Sequence, residues 1–341
     1  MKVNRATLFL AALLILSAIL IEGNARLAAA AEEVEKPIVV CTTNVLGSII
    51  KEIAGEDVDV HVLVNPSLCP ADYDMKPSDV YALSNAKILF YHDIPGEKPW
   101  LRNLIEAAGN EDLIEVKVPG TYNTPAGAKS CIRIIGGNLS RVLSKDFSGK
   151  ISSMLNAVDA VAEEIKSEAQ SLGVGNFSVI CMNWQKTFVE WVGFKVVATY
   201  NPPETLSASD IKQLIDKARN ESVALIIDNL QVSAEFGAPI ASEVGAVHVV
   251  LTNFPGAIPG TGNLTQMFRY NAKQLFDGLK RWKAMKVLEM EVKELAESLR
   301  AETESLRNQL SAFQAATFVA ATVAAVEFIL LLAKRKSAKF K

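Results

Sequence analysis

Residues 38–64 read IVVCTTNVLGSIIKEIAGEDVDVHVLV. The opening "IVVC" continues a β-rich run that begins at Lys36. Asn44 starts a stretch of helical character closed by Gly55, and "VDVHVLV" is again a short β-rich run. A strand, a helix and a second strand in so short a span form one unit of a parallel sheet covered by helices.

The same alternation continues outward from this stretch. "KPSDVYALSNA" reads as a short helix and "KILFYH" as a strand; "PWLRNLIEAAGN" is a helix with a Gly-Asn stop, and "LIEVKV" a strand. A second set opens near Asn176. Its strands are "FSVICMN", "FKVVATY", "VALIIDN" and "AVHVVLT"; its helices include "QKTFVEWVG" and "SASDIKQLIDKARN", the latter with Ser-x-x-Asp at its start. Between the sets, Ile151, Met154, Leu155, Val158, Val161 and Ile165 follow helical spacing, and no proline or internal glycine interrupts Lys150 to Leu172. The expected fold class is therefore α/β: two Rossmann-like lobes, residues 36–145 and 176–283, joined by one long rigid helix over 146–173.

The flanks add a second theme. Lys2 and Arg5 precede an apolar run from Ala6 to Ile21 and then small residues, so residues 1–30 read as a secretory signal peptide. Residues 313–333, "FQAATFVAATVAAVEFILLLA", are long enough to cross a bilayer as a helix, with Gln314 and Glu327 as the polar exceptions. The tail 334–341, "KRKSAKFK", carries five basic residues and no acid, which places it on the cytoplasmic side and the body outside the cell. Leu288, Val292, Leu295, Leu299 and Leu306 draw one apolar stripe along residues 285–311, interrupted at Glu302. That segment reads as a helical stalk, a short coiled coil able to self-associate. A formal charge of −3 gives no reason to expect nucleic acid.

With these elements placed, the chain resembles the metal-binding class of extracytoplasmic substrate-binding proteins of ABC transporters, the zinc- and manganese-capture family. The resemblance rests on residues 38–64, on "PADYDMKPSDVYALSNAKILFYHD", on "VEWVGFKVVATY" and on "FRYNAKQL". It implies a receptor, not an enzyme, that captures a metal ion between two lobes for an ABC permease. No P-loop, no Gly-rich dinucleotide fingerprint and no nucleophile-base order argues otherwise.

The family's usual ligands are absent, however. Its Pro-His-x-Tyr-Glu appears as Pro70-Ala71-Asp72-Tyr73-Asp74, with Ala71 in the histidine position. Its Pro-His-x-Trp is not visible where "YNTPAGAKSC" stands; the third ligand position falls on Met182, and the fourth on Thr252-Asn253. Soft donors stand nearby: Cys69, Cys181, Met182, Cys41 and, with an imidazole, His92. Thiolate and thioether suit Cu(I), and thiolate with imidazole suits zinc. These five are the candidate metal site for a transported zinc, copper or manganese ion, with Asp72, Asn183 and Asn253 as further cleft candidates. Three alternatives stay open: disulfides, with Cys41–Cys69 the first pair to consider; a receptor fold that lost metal and serves in surface adhesion or assembly; and a small organic or anionic solute held by neutral amides such as Asn183, Gln185 and Asn253.

Overall fold

The computed structural model describes residues 36–92 and 94–338; the expected signal peptide lies outside them. Four strands form the first sheet, β1 (Ile38–Cys41), β2 (Asp59–Val62), β3 (Ala86–Tyr91) and β4 (Ile114–Lys117), in the order β2-β1-β3-β4 and all parallel. The second sheet repeats the plan with β5 (Ser178–Met182), β6 (Lys195–Tyr200), β7 (Leu225–Asn229) and β8 (Val247–Leu251), ordered β6-β5-β7-β8. Parallel strands require a crossover between each pair. Helices α1 (Asn44–Ala54), α2 (Pro77–Ser84) and α3 (Lys98–Ala108) supply it in the first lobe.

Each sheet is buried on both faces, and the alternation of the pleat decides which side chain goes where. In β1, Val39 and Cys41 enter the large core shared by the lobes, while Val40 enters a smaller cluster on the outer face. In β5, Val179 and Cys181 face the shared core, and Ile180 and Met182 face the outer cluster of the second lobe.

Between β4 and the connector lies a helix that the sequence reading missed, α4 (Pro125–Leu143). Thr124 caps it, its hydroxyl accepting from the Gly127 amide, and Pro125 sits in the first turn where its missing N–H costs nothing. The connector itself is α5 (Ser148–Leu172), burying Val158, Val161, Ile165 and Ala169 and ending at Gly173 with φ +64°, a left-handed closure that glycine adopts without strain. The second lobe adds α6 (Lys186–Val192), α7 (Ala208–Asn220) and α8 (Gly237–Val244); α7 opens with the expected capping box, Ser207 with Asp210.

The last helix, α9 (Leu264–Ala338), is 75 residues long. Its first part is core: Phe268, Leu275, Phe276 and Leu279 are fully buried, each contributing roughly 1.5–3 kcal/mol relative to exposure. Beyond the body the helix continues without a break into the stalk segment and the apolar segment, where the large apolar side chains from Val287 to Leu331 are exposed. Among the described residues this is the one helix long and apolar enough to cross a membrane.

Candidate functional site

In a parallel sheet all carboxyl ends lie on one edge, and ligands of open α/β folds bind outside that edge. Contacts between the lobes show the two edges facing each other. Asn44, after β1, donates from Nδ2 to the Pro255 carbonyl beyond β8 at 2.6 Å. Gln231, after β7, donates from Nε2 to the Pro66 carbonyl beyond β2 at 2.9 Å. Asn123, beyond β4, donates to the Trp184 carbonyl beyond β5 at 3.2 Å. Tyr122 stacks on Phe254 with ring centroids 6.4 Å apart. The cleft is therefore closed by the protein's own side chains.

The first-lobe wall is built around His92, which is 2 % exposed at the end of β3. Its Nε2 lies 2.9 Å from the Thr43 hydroxyl and its Nδ1 3.3 Å from the Val118 carbonyl, and its ring packs against Tyr122. With Nδ1–H donating to that carbonyl, Nε2 is left as the acceptor, the tautomer of a metal-competent imidazole. Burial pulls its pKa down to about 4, with the Val118 and Pro119 carbonyls opposing the shift, so the ring is neutral near pH 7. Beside it, the fully buried Glu97 accepts from the Thr42 hydroxyl at 2.5 Å and from the His92 backbone N–H at 3.0 Å.

The second-lobe wall is made of amides and hydroxyls. Gln231 also donates to the Thr252 hydroxyl at 2.8 Å and accepts from the Asn253 backbone N–H at 3.0 Å. Asn271, on α9, brackets Thr252 by accepting from its N–H and donating to its carbonyl. Gln185 Nε2 and Asn229 Nδ2 are buried at the same edge without a hydrogen-bond partner. The Asn229 amide is oriented by its Oδ1, which accepts from the Gln231 N–H at 3.0 Å.

The candidate donors are distributed through this frame and are not gathered into one cluster. Cys41 and Cys181 are fully buried in the shared core, and burial raises both thiols, Cys181 to about 12. Met182, the next residue after Cys181, points into the cluster on the opposite face of the sheet. Cys69 is buried just before the turn Pro70–Asp72, and burial raises its thiol as well. Asp72 and Asn183 are exposed, while Asn253 is buried with its N–H committed to Gln231. Against the backbone N–H of His92 lies a second ligand-type side chain, Glu97. Among the described residues no three His, Cys, Asp or Glu side chains converge as a metal site. The Cys41–Cys69 bridge is not formed: all four cysteines are free and buried.

In the region 122–131, where the resemblance puts the second ligand, no histidine stands; Pro125 opens α4 there, with Ala126 next to it. Glu97 and Gln231 carried no sequence signal, because each is placed by a partner far along the chain as well as by near ones, Thr42 for Glu97 and Pro66 for Gln231. His61 and His248 each hydrogen-bond a buried aspartate at 2.8 Å, Asp79 and Asp228, which also accept from the hydroxyls of Tyr73 and Tyr200.

Two parallel-sheet lobes on a helical connector, with strand ends meeting across a cleft, define a two-lobed solute-binding protein. The family model described as zinc-uptake complex component A periplasmic (ZnuA) matches residues 39–278, which reach across both lobes and the connector, and the chain belongs to that family of metal-binding substrate-binding proteins of ABC transporters. It is 25% identical over 287 residues to the iron ABC transporter substrate-binding lipoprotein MtsA of Streptococcus pyogenes serotype M1, covering 72% of this chain and 89% of the relative. Over 77 residues it is 35% identical to the manganese ABC transporter substrate-binding lipoprotein PsaA of Streptococcus anginosus, 22% of this chain and 25% of the relative. In fold it is similar to the periplasmic zinc binding protein TroA of Treponema pallidum, with a TM-score of 0.64 at 18% identity, over 72% of this chain and 99% of that one.

Proposed function

We propose that this chain is a membrane-anchored extracytoplasmic receptor, not an enzyme, that captures a metal ion between its lobes and delivers it to an ABC permease. The observation that carries the reading is the family match across both lobes, with relatives named for iron and manganese transport. The apolar segment of α9 supports the anchor. The ion is cargo. His92 is the first donor in this reading, neutral and at the carboxyl edge of β3, with Glu97 beside it. Cys69 is the thiol on the loop that the Gln231–Pro66 bond ties to the second lobe, so opening the cleft would free that loop. Cys41, Cys181 and Met182 would enter a soft-metal set only after the sheet edges move.

One observation favours a second reading, in which the fold has kept its receptor architecture and holds an organic solute or serves surface assembly. By the resemblance, the ligand positions fall on Ala71, on the histidine-free region 122–131, on Met182 and on Thr252-Asn253, and the cleft is closed by direct bonds between the lobes. The buried unpartnered amides of Gln185 and Asn229 suit a carbonyl- or carboxylate-bearing solute. Thermal melting of the full chain in detergent separates the two, because a ligand that binds only the folded state raises the midpoint with concentration. The metal reading predicts a saturable rise with Cu(I), Zn(II) or Mn(II) that His92→Ala abolishes. No rise with any of the three would leave the second reading standing.

A further inference from the structure

The seven-residue phase of the stalk does not stop at the membrane. Val292, Leu299, Leu306, Phe313 and Ala320 lie seven residues apart on the uninterrupted helix α9, and Glu327 falls next on the same line. A companion line runs through Leu288, Leu295, Glu302, Gln309 and Ala316. Together they form the a and d lines of one seam through stalk and apolar segment, and such a seam is buried by a partner helix lying alongside. Its large apolar members are solvent-exposed, from 54% at Leu299 to 71% at Phe313.

From these lines we infer that α9 pairs along this seam with α9 of a second copy, in parallel and in register. Three observations select that occupant. The first is reach: residues 285–311 extend the seam about 40 Å beyond the apolar segment at 1.5 Å per residue, and a partner must match that length outside the membrane as well as within it. The chain's own helix does so, whereas a bare membrane span does not.

The second is charge. The positions flanking the seam that would meet across a parallel in-register pair are Glu291 with Ala296, Ser298 with Thr303, and Ser305 with Leu310. None is a like-charge pair, and the charges Lys286, Lys293, Glu294, Glu297, Arg300 and Arg307 lie on the other faces. The third is Glu327. An acid inside an apolar segment is costly against lipid, and its place on the seam turns it towards the partner. Glu302 and Glu327 are the seam positions where identical copies set acid against acid, which makes the pairing weaker than an all-apolar coil.

Pairing in parallel rests on the membrane-anchored reading, and the test separates the two. Single cysteines are placed in the full chain, reconstituted alone in lipid vesicles at low protein density, at Leu295 and Leu299 on the seam and at Glu294 and Glu297 off it. A mild aqueous oxidant leaves the four native thiols silent, since all are buried. The pairing predicts disulfide-linked dimers several-fold more abundant for Leu295→Cys and Leu299→Cys than for Glu294→Cys and Glu297→Cys, and a further increase when Glu302→Leu is added. Equal yields at the four sites, none at the seam sites, or no gain from Glu302→Leu would overturn it. Alkaline extraction of the same vesicles reads anchoring separately: release of the chain would refute the anchor while the crosslinking pattern still reports on the seam.

Discussion

His92 combines burial, a neutral ring and a hydrogen-bonded Nε2 at the edge where cargo would enter. In the metal-free chain its pKa of about 4 against 6.5 unfolded means that between those values the unfolded chain holds a proton the folded chain does not. Stability therefore falls as pH drops through that window, by up to about 3 kcal/mol at 1.36 kcal/mol per pKa unit. Urea unfolding at neutral pH and near the lower bound should show this loss, and His92→Gln should flatten it; an equal slope in the variant would contradict the assignment. The place of His92 at a strand end was legible from "KILFYH". Its partners were not, because Glu97 folds back from the next helix and Val118 arrives from the neighbouring strand.

At the scale of elements, the strands, the connector and the stalk helix follow from apolar periodicity, as "FSVICMN" and the Ile151–Ile165 pattern show. Helix α4 escaped notice because its glycines blur the pattern, although Ala128, Cys131, Ile132, Ile135 and Leu139 form a buried stripe behind a Thr-Pro start. Gly127 is the sensitive point of that start: a Cβ would fall 1.5 Å from the Thr121 carbonyl oxygen, a backbone atom that cannot swing away. Gly127→Ala should cost about 2 kcal/mol or more in denaturant unfolding, the upper part of the usual range for overpacking, and disturb the loop carrying Tyr122. A neutral substitution would mean that the turn is softer than its contacts indicate. The residues that meet across the cleft were less legible than the elements, since their partners lie from 61 to 211 residues away along the chain.

For the whole molecule, Gln231 is one of the residues that tie the lobes: its Nε2 donates to the Pro66 carbonyl of the first lobe, while Thr252 and Asn253 of its own lobe hold the same amide in place. Gln231→Ala leaves the Pro66 carbonyl and the Asn253 N–H without these partners, a penalty of about 1–3 kcal/mol for groups that stay buried. It should raise amide exchange across residues 65–70 while the sheets stay protected; unchanged exchange there would show that other contacts hold the cleft. The measurement that tests the account most directly is a competition titration of the reduced full chain with Cu(I), Zn(II) and Mn(II) against a chelator of known affinity. The account predicts one ion bound per chain, lost in His92→Ala and retained when the exposed Asp72 is changed to Asn. No binding that competes with the chelator, or binding indifferent to His92, would contradict it.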